Sequence, residues 1–211
     1  MNGPGVEQVI GTAGGAAPLA EFNAVEAARA QEYALLATLL TRAPDTALLQ
    51  RVARLTGDST ALGRAHAALA EAAAAHSPDQ IAREYFELFV GIGRGELLPY
   101  GCYYATGFLH ERPLARLRAD LARLGIERTG TQSEPEDHAA ILCEIMAGLA
   151  AGKFPAVPEQ QQEFFDKHLA PWIGHFFADL AAAKAADFYR AVGTVGRLFI
   201  EIEMQAFALA G

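Results

Sequence analysis

Apolar residues recur along most of this chain at the three- and four-residue intervals of an amphipathic helix. Phe22, Val25, Tyr33, Leu36 and Leu40 mark one face of a first helix that should end near Pro44. Asp45 to Thr56 and Thr60 to Ala75 read as two more, separated by Gly57-Asp58. Ser77-Pro78 opens another, with Ile81, Tyr85, Leu88 and Phe89 on one face. The glycines at 91, 93 and 95, followed by Pro99, predict an irregular loop, behind which Tyr100, Tyr103, Tyr104 and Phe108 crowd together.

Pro113 starts the next helix, carrying Leu114, Leu117, Leu121 and Leu124, and Gly125 stops it. Residues 126–133 are polar without helical period and suit a hinge. Beyond them Ile141, Ile145 and Leu149 share a face up to Gly152, and Pro155 and Pro158 bracket a loop. Phe164, Phe165 and Leu169 lead to Pro171-Trp172, and Phe176, Phe177 and Leu180 form a separate helix. The last helix, with Phe188, Val192, Val195, Phe199 and Ile202, would run about 35 Å at 1.5 Å per residue. No alternating run predicts a strand, and no fixed period predicts a solenoid. The expected fold is all-α, a helical bundle in two parts: a flexible tail over 1–18, an N-terminal part over 19–125, a hinge over 126–133 and a C-terminal part over 134–211.

Composition changes this picture little. Apolar residues are 52 % of 211 and charged residues 20 %, an ordinary globular mix. At this length roughly 70 % of the unfolded chain's surface can be buried, so neither metal nor disulfide is required. The two cysteines, Cys102 and Cys143, make no metal spacing and suit a reducing compartment. The net charge of -8 disfavours nucleic acid and favours a basic partner. Met1 to Pro18 contains no Lys or Arg, unlike a signal peptide, and Arg190, Arg197, Glu201 and Glu203 interrupt the last apolar stretch. A cytoplasmic protein is expected.

Enzyme signatures are wanting. The glycine cluster follows a helix and lacks the last glycine of G-x-G-x-x-G, and no G-x-x-x-x-G-K-[ST] occurs. His110-Glu111 leads into Arg112-Pro113-Leu114, so no H-E-x-x-H forms. No glutamate is followed by histidine at the third position, and no G-x-S-x-G elbow exists. His168 and His175 could share a helix face only if Pro171 did not interrupt it. His66 and His76 read as solvated surface positions. No catalytic residue, metal or cofactor is expected.

Two segments invite a closer reading. In Ser133 to His138, Ser133 and Glu136 fit a capping box, or Glu134 caps with Pro135 at the first helical position. Either way Glu134, Glu136 and Asp137 bring negative charge to a helix's positive end. Capping leaves His138 unexplained, since a protonated imidazole is disfavoured there; a neutral ring turned toward the hinge and hydrogen-bonded there would fit, and the residue is either cap and surface or part of a binding site. Tyr85, Phe86, Leu88 and Phe89, with Pro99 and Tyr100, are either core or the lining of a groove for an apolar peptide.

Taken together, the runs Tyr85-Phe86-Glu87-Leu88-Phe89-Val90-Gly91, Leu98-Pro99-Tyr100-Gly101-Cys102-Tyr103 and Glu134-Pro135-Glu136-Asp137-His138 resemble the TorD/DmsD family of redox-enzyme maturation chaperones. His168-Leu169-Ala170-Pro171-Trp172 and Phe188-Tyr189-Arg190-Ala191 extend the likeness, which covers roughly Val25 to Gln205. The resemblance implies one all-helical domain, its two parts joined just before the E-P-x-D-H run. It implies a non-enzymatic chaperone that binds the twin-arginine signal peptide, the apo-form of a molybdopterin-containing oxidoreductase, or both. Cofactor insertion would be aided and export delayed. Tyr85, Leu88, Phe89, Pro99, Tyr100, Glu134, Asp137 and His138 would then form the peptide-binding set. Tyr85 and Tyr100 stand where some relatives carry tryptophan, and Cys102 where serine is common, which bears on client identity. A monomer or a domain-swapped dimer would fit a hinged bundle. The rival readings are a structural helical subunit, or a regulator that binds guanine nucleotide without turnover.

Overall fold

Side chains that can satisfy a helix's orphan backbone donors stand where the periodic segments begin, and the helices start there. In the computed structural model, which describes residues 10–12, 24–109, 111–128 and 134–210, ten α-helices are found, nine of them along those segments. Helix α1 is Ala24–Thr41. Asp45 accepts from the Leu48 N–H at 2.8 Å to begin α2, Thr46–Val52. Thr60 accepts from the Gly63 N–H at 3.0 Å to begin α3, Ala61–Ala75. Ser77 and Gln80 form a reciprocal capping box ahead of α4, Pro78–Tyr85, where Pro78 lacks only an N–H that would have no partner.

Helix α4 widens into one π-helical turn, Phe86–Val90, closed by the Gly91 N–H on the Phe86 carbonyl at 2.6 Å. Gly91 has φ 62°, and a Cβ there would fall 2.0 Å from the Arg94 carbonyl oxygen, so the turn needs glycine. The loop then folds back. The Glu96 and Leu97 N–H groups reach the Glu87 and Leu88 carbonyls at 3.0 and 2.8 Å.

A short helix, α5 (Gly101–Thr106), comes next, unmarked by any periodic pattern in the sequence. Helix α6 (Arg112–Arg123) is followed by β2 (Ile126–Arg128), which pairs antiparallel with β1 (Ile10–Thr12). No strand is expected from the sequence, because three residues are too few to show alternation. The ribbon therefore corrects both the irregular reading of Ile126–Arg128 and the structureless reading of Ile10–Thr12. The rest of the tail, Phe22 and residues 129–133, and with them Ser133 of the proposed capping box, lie outside the described residues.

The remaining helices are α7 (Ala139–Ala150), α8 (Pro158–His168), α9 (Ile173–Ala182) and α10 (Phe188–Ala210). Helix α7 is apolar nearly all round and is the central helix, as such a helix must be. It packs along α1, while α9 and α3 flank α10. Leu36 and Leu40 of α1, Ile141 and Ile145 of α7, Phe177 of α9 and Val195 of α10 belong to one buried cluster that includes residues from both sides of 126–133. Glycines let α9 and α10 approach: a Cβ on Gly196 would stand 2.3 Å from the Phe177 ring.

Buried ions cross-link the bundle. Glu203 (1 % exposed) receives the Arg29 guanidinium through both oxygens at 2.8 Å and the Tyr33 hydroxyl at 2.9 Å. Glu84 accepts the N–H groups of Asp187, Phe188 and Tyr189 at 2.8, 3.1 and 2.7 Å, capping α10 from α4. His66 and His76 depart from the solvated positions expected. His66 meets Glu32 at 3.0 Å, and His76 bridges the Ala72 carbonyl and Asp187 at 2.8 and 3.0 Å.

Candidate functional site

The proline-aromatic loop and the acidic-histidine segment are joined through their main chains. Tyr100 and His138 form an isolated antiparallel bridge. The Gly101 N–H donates to the Asp137 carbonyl at 2.9 Å, and the Ala139 N–H donates to the Pro99 carbonyl at 2.8 Å. Proline suits this position because only its carbonyl is used.

Side chains elaborate the join. The Tyr100 ring meets the His138 ring edge-on, centroids 5.2 Å apart and planes at 76°. Its hydroxyl donates to Glu134 Oε2 at 2.5 Å. Burial first, then this hydrogen bond, raises the Tyr100 phenol well above its usual range, so it remains a donor. Asp137 Oδ2 accepts the Cys102 N–H at 2.8 Å; Asp137 Oδ1 is buried without a hydrogen-bond partner among the described residues. Glu136 Oε2 receives the Arg118 guanidinium at 3.0 Å from Nε and pairs with a terminal nitrogen at 2.8 Å.

The helix after this segment begins at Ala139, later than either reading of the caps supposes. Glu134 to Asp137 form the turn before it, and His138 itself is the cap: Nδ1 accepts the Ala140 N–H at 3.1 Å. That role needs a neutral ring. Burial pushes the His138 pKa down to about 4, against the opposing pull of Glu134 and Asp137. The imidazole that a protonated reading leaves unexplained is therefore a neutral N-cap.

The aromatic helix lies against the same region but is more closed than a groove lining. Leu88 is fully buried. Tyr85 and Phe89 are half-buried and pack with Tyr189, ring centroids 5.9 and 5.5 Å away, and the Tyr85 hydroxyl donates to the Leu40 and Thr41 carbonyls at 3.2 and 3.0 Å. Burial, with Glu134 near enough to add to it, pushes the Tyr85 phenol up to about 12. The exposed apolar positions of this turn and its loop are instead Phe86, Val90 and Ile92.

Arg118 has no local sequence signal, and Gly101 and Trp172 stand in the motif runs without any sign that they meet. Arg118 lies on α6, remote in sequence from Glu136. Gly101 permits contact with Trp172, since a Cβ there would stand 3.1 Å from the indole nitrogen. Trp172 in turn donates to the His168 carbonyl at 2.8 Å. Beside them a cavity of about 100 Å³ is bordered by Cys102, Leu117, Asp137, Leu142, His168 and Trp172. Among the described residues no group of three His, Cys, Asp or Glu could hold a metal ion, and no helix is long and apolar enough to cross a membrane.

Comparison with known proteins agrees with the motifs. A family model described as the nitrate reductase delta subunit matches residues 56–178, which contain both joined segments and Trp172. The chaperone protein TorD of Vibrio cholerae is 28 % identical over 131 residues, 58 % of this chain and 60 % of that protein. A protein of Haemophilus influenzae described as a probable Tat proofreading chaperone, DmsD, is 29 % identical over 114 residues, 53 % of this chain and 54 % of its own length. The matched stretch thus spans less than two thirds of either relative. A crystal structure of a candidate redox enzyme maturation protein from Archaeoglobus fulgidus shares the fold, with TM-score 0.51 and 18 % identity over 81 % of this chain and 93 % of that one.

Proposed function

The chain belongs to the family described as the nitrate reductase delta subunit, in which the TorD and DmsD chaperones are its relatives, and from that premise we propose that it is itself a chaperone of a molybdopterin-containing oxidoreductase. On this reading it binds the twin-arginine signal peptide, the apo-form of the enzyme, or both, in the cytoplasm. It aids cofactor insertion, delays export, and catalyses no reaction of its own.

The observation that carries the proposal is the charge held at the joined segments. Glu134, Glu136 and Asp137 stand together beside the Tyr100 ring, Glu134 accepting the Tyr100 hydroxyl and Glu136 pairing with Arg118. An acidic site under aromatic cover suits a peptide with paired arginines followed by an apolar run. Tyr100, Pro99 and the turn carrying Tyr85, Leu88 and Phe89 are the apolar side of the proposed site. Because Leu88 is fully buried, it would support the surface from below, with Phe86 and Val90 nearer the peptide.

The test is binding of a synthetic peptide with two adjacent arginines and an apolar run, measured by calorimetry at low and high salt. Binding that weakens with salt, and weakens further in Glu134→Gln, is expected. A wild-type chain that takes up neither this peptide nor a molybdoenzyme precursor is not a chaperone of this kind.

A further inference from the structure

We infer that the cavity beside Asp137 seats a single arginine side chain of the bound peptide, with its guanidinium donating to Asp137 Oδ1 and lying against the Trp172 indole. The inference rests on the chaperone reading and adds to it a specific pocket, on the α6 and α8 side of the joined segments and apart from the aromatic turn.

Asp137 is 4 % exposed, yet only Oδ2 has a backbone donor, the Cys102 N–H at 2.8 Å. Oδ1 has no hydrogen-bond partner among the described residues, and a buried carboxylate oxygen left so is costly and calls for a partner. The Cys102 thiol is close enough to the carboxylate for a weak hydrogen bond, but a thiol is a poor donor and its Sγ also contacts the Glu111 carbonyl at 3.7 Å. The cavity borders this aspartate, and its walls include the apolar Leu117, Leu142 and Pro171. A charged head on a methylene stem matches that combination of one anion and apolar walls.

Two features favour guanidinium over ammonium. The indole of Trp172 is fixed by its N–H on the His168 carbonyl at 2.8 Å, so it offers a held aromatic surface to a planar cation. Several N–H donors in one plane can also serve Asp137 Oδ1 together with a neighbouring acceptor. The other charged groups near the cavity are already engaged. Lys167 pairs with Glu163, His168 meets Asp120 at 2.7 Å, and Arg118 is held by Glu136. Lys167 borders the cavity and opposes a cation there, which gives the proposal a second handle.

Trp172 is the single tryptophan of the chain, so its emission reports the cavity directly. The full chain would be titrated with the two-arginine peptide and with versions carrying citrulline, uncharged but nearly the same shape, at either arginine or both. Calorimetry and Trp172 emission would be read in parallel. Expected are a change in emission on binding the arginine peptide, and loss of that change with at least tenfold weaker binding when citrulline replaces one particular arginine. Asp137→Asn should weaken the arginine peptide at least tenfold and leave that citrulline peptide unaffected. Ala105→Leu, which fills the cavity from an exposed position on α5, should abolish the emission change, and Lys167→Gln should tighten binding several-fold.

Binding by calorimetry with Trp172 silent, or equal affinity in Asp137→Asn and Ala105→Leu, would mean that the cavity holds water alone; the inference then falls while the chaperone reading stands. A wild-type chain that binds no peptide at all overturns both.

Discussion

Cys102 and Asp137 are joined across the bundle by a single buried hydrogen bond, the backbone N–H of the one to Oδ2 of the other at 2.8 Å. The two belong to separate sequence motifs, and the aspartate carries the only buried side-chain oxygen without a hydrogen-bond partner among the described residues. Asp137→Ala should therefore destabilise the chain by about 1–3 kcal/mol through the stranded N–H. Asp137→Asn keeps an oxygen for that N–H while removing the buried charge, so it should cost less. Urea unfolding of the two variants beside wild type checks the order; an alanine variant as stable as the asparagine one would contradict it.

Arg29, Tyr33 and Glu203 tie the first helix to the last. Glu203→Ala leaves a largely buried guanidinium with Glu26 alone and strands the Tyr33 hydroxyl, and should cost about 3 kcal/mol. The pair variant Arg29→Met with Glu203→Leu removes both charges and should recover most of that loss. Thermal melting of the single and double variants measures the recovery.

Glu84 supplies one carboxylate to three consecutive N–H groups at the start of α10. Glu84→Ala strands all three, and about 2 kcal/mol or more should be lost, since side-chain caps contribute about 1 kcal/mol and charge-assisted ones more. Hydrogen exchange should quicken at Asp187, Phe188 and Tyr189 before it quickens elsewhere in α10.

His138 gives stability a dependence on acid. Its folded pKa of about 4 lies below the ordinary value of 6.5, so between those limits the unfolded chain binds a proton that the folded chain refuses. Its contribution is fully present above pH 6.5 and is lost as pH falls toward 4, with a slope of up to about 1.4 kcal/mol per pH unit. His66 and His76 are raised, chiefly by Glu32 and by the Ala72 carbonyl, and act oppositely. The His138→Gln variant isolates one group: its stability should fall less steeply than that of wild type between pH 6.5 and 4.5. Parallel curves for the two proteins would remove His138 from this account.

Much of this fold was legible because helical periodicity and capping are local. Asp45, Thr60 and Ser77 begin helices within a residue or two of where pattern and cap chemistry put them. What escaped was set by distant partners. Helix α5 has no periodic face to count, and it is held by Asp137 from another segment. The acids of Glu134 to Asp137 fit a helix start so well that they hid the true one, four residues later. A neutral, hydrogen-bonded His138 could be foreseen, but not that its acceptor role caps the helix at the Ala140 N–H, nor that burial keeps the ring neutral well below pH 6.5. In the candidate site, Tyr100, Asp137 and His138 could be named from their motifs. Arg118 could not, because nothing in its own neighbourhood points to the segment it meets; Gly101 and Trp172 stand in the quoted motifs, but their contact with each other is set by the fold.

The link between the Pro99 and Asp137 segments is made by peptide groups, the Gly101 N–H to the Asp137 carbonyl and the Ala139 N–H to the Pro99 carbonyl. Peptide groups are the same whatever side chains flank them. Tyr100 and Glu134 can thus be exchanged for other residues over generations without unfastening the two segments. On the proposed reading, recognition could drift toward a new client while the frame that presents it stays intact.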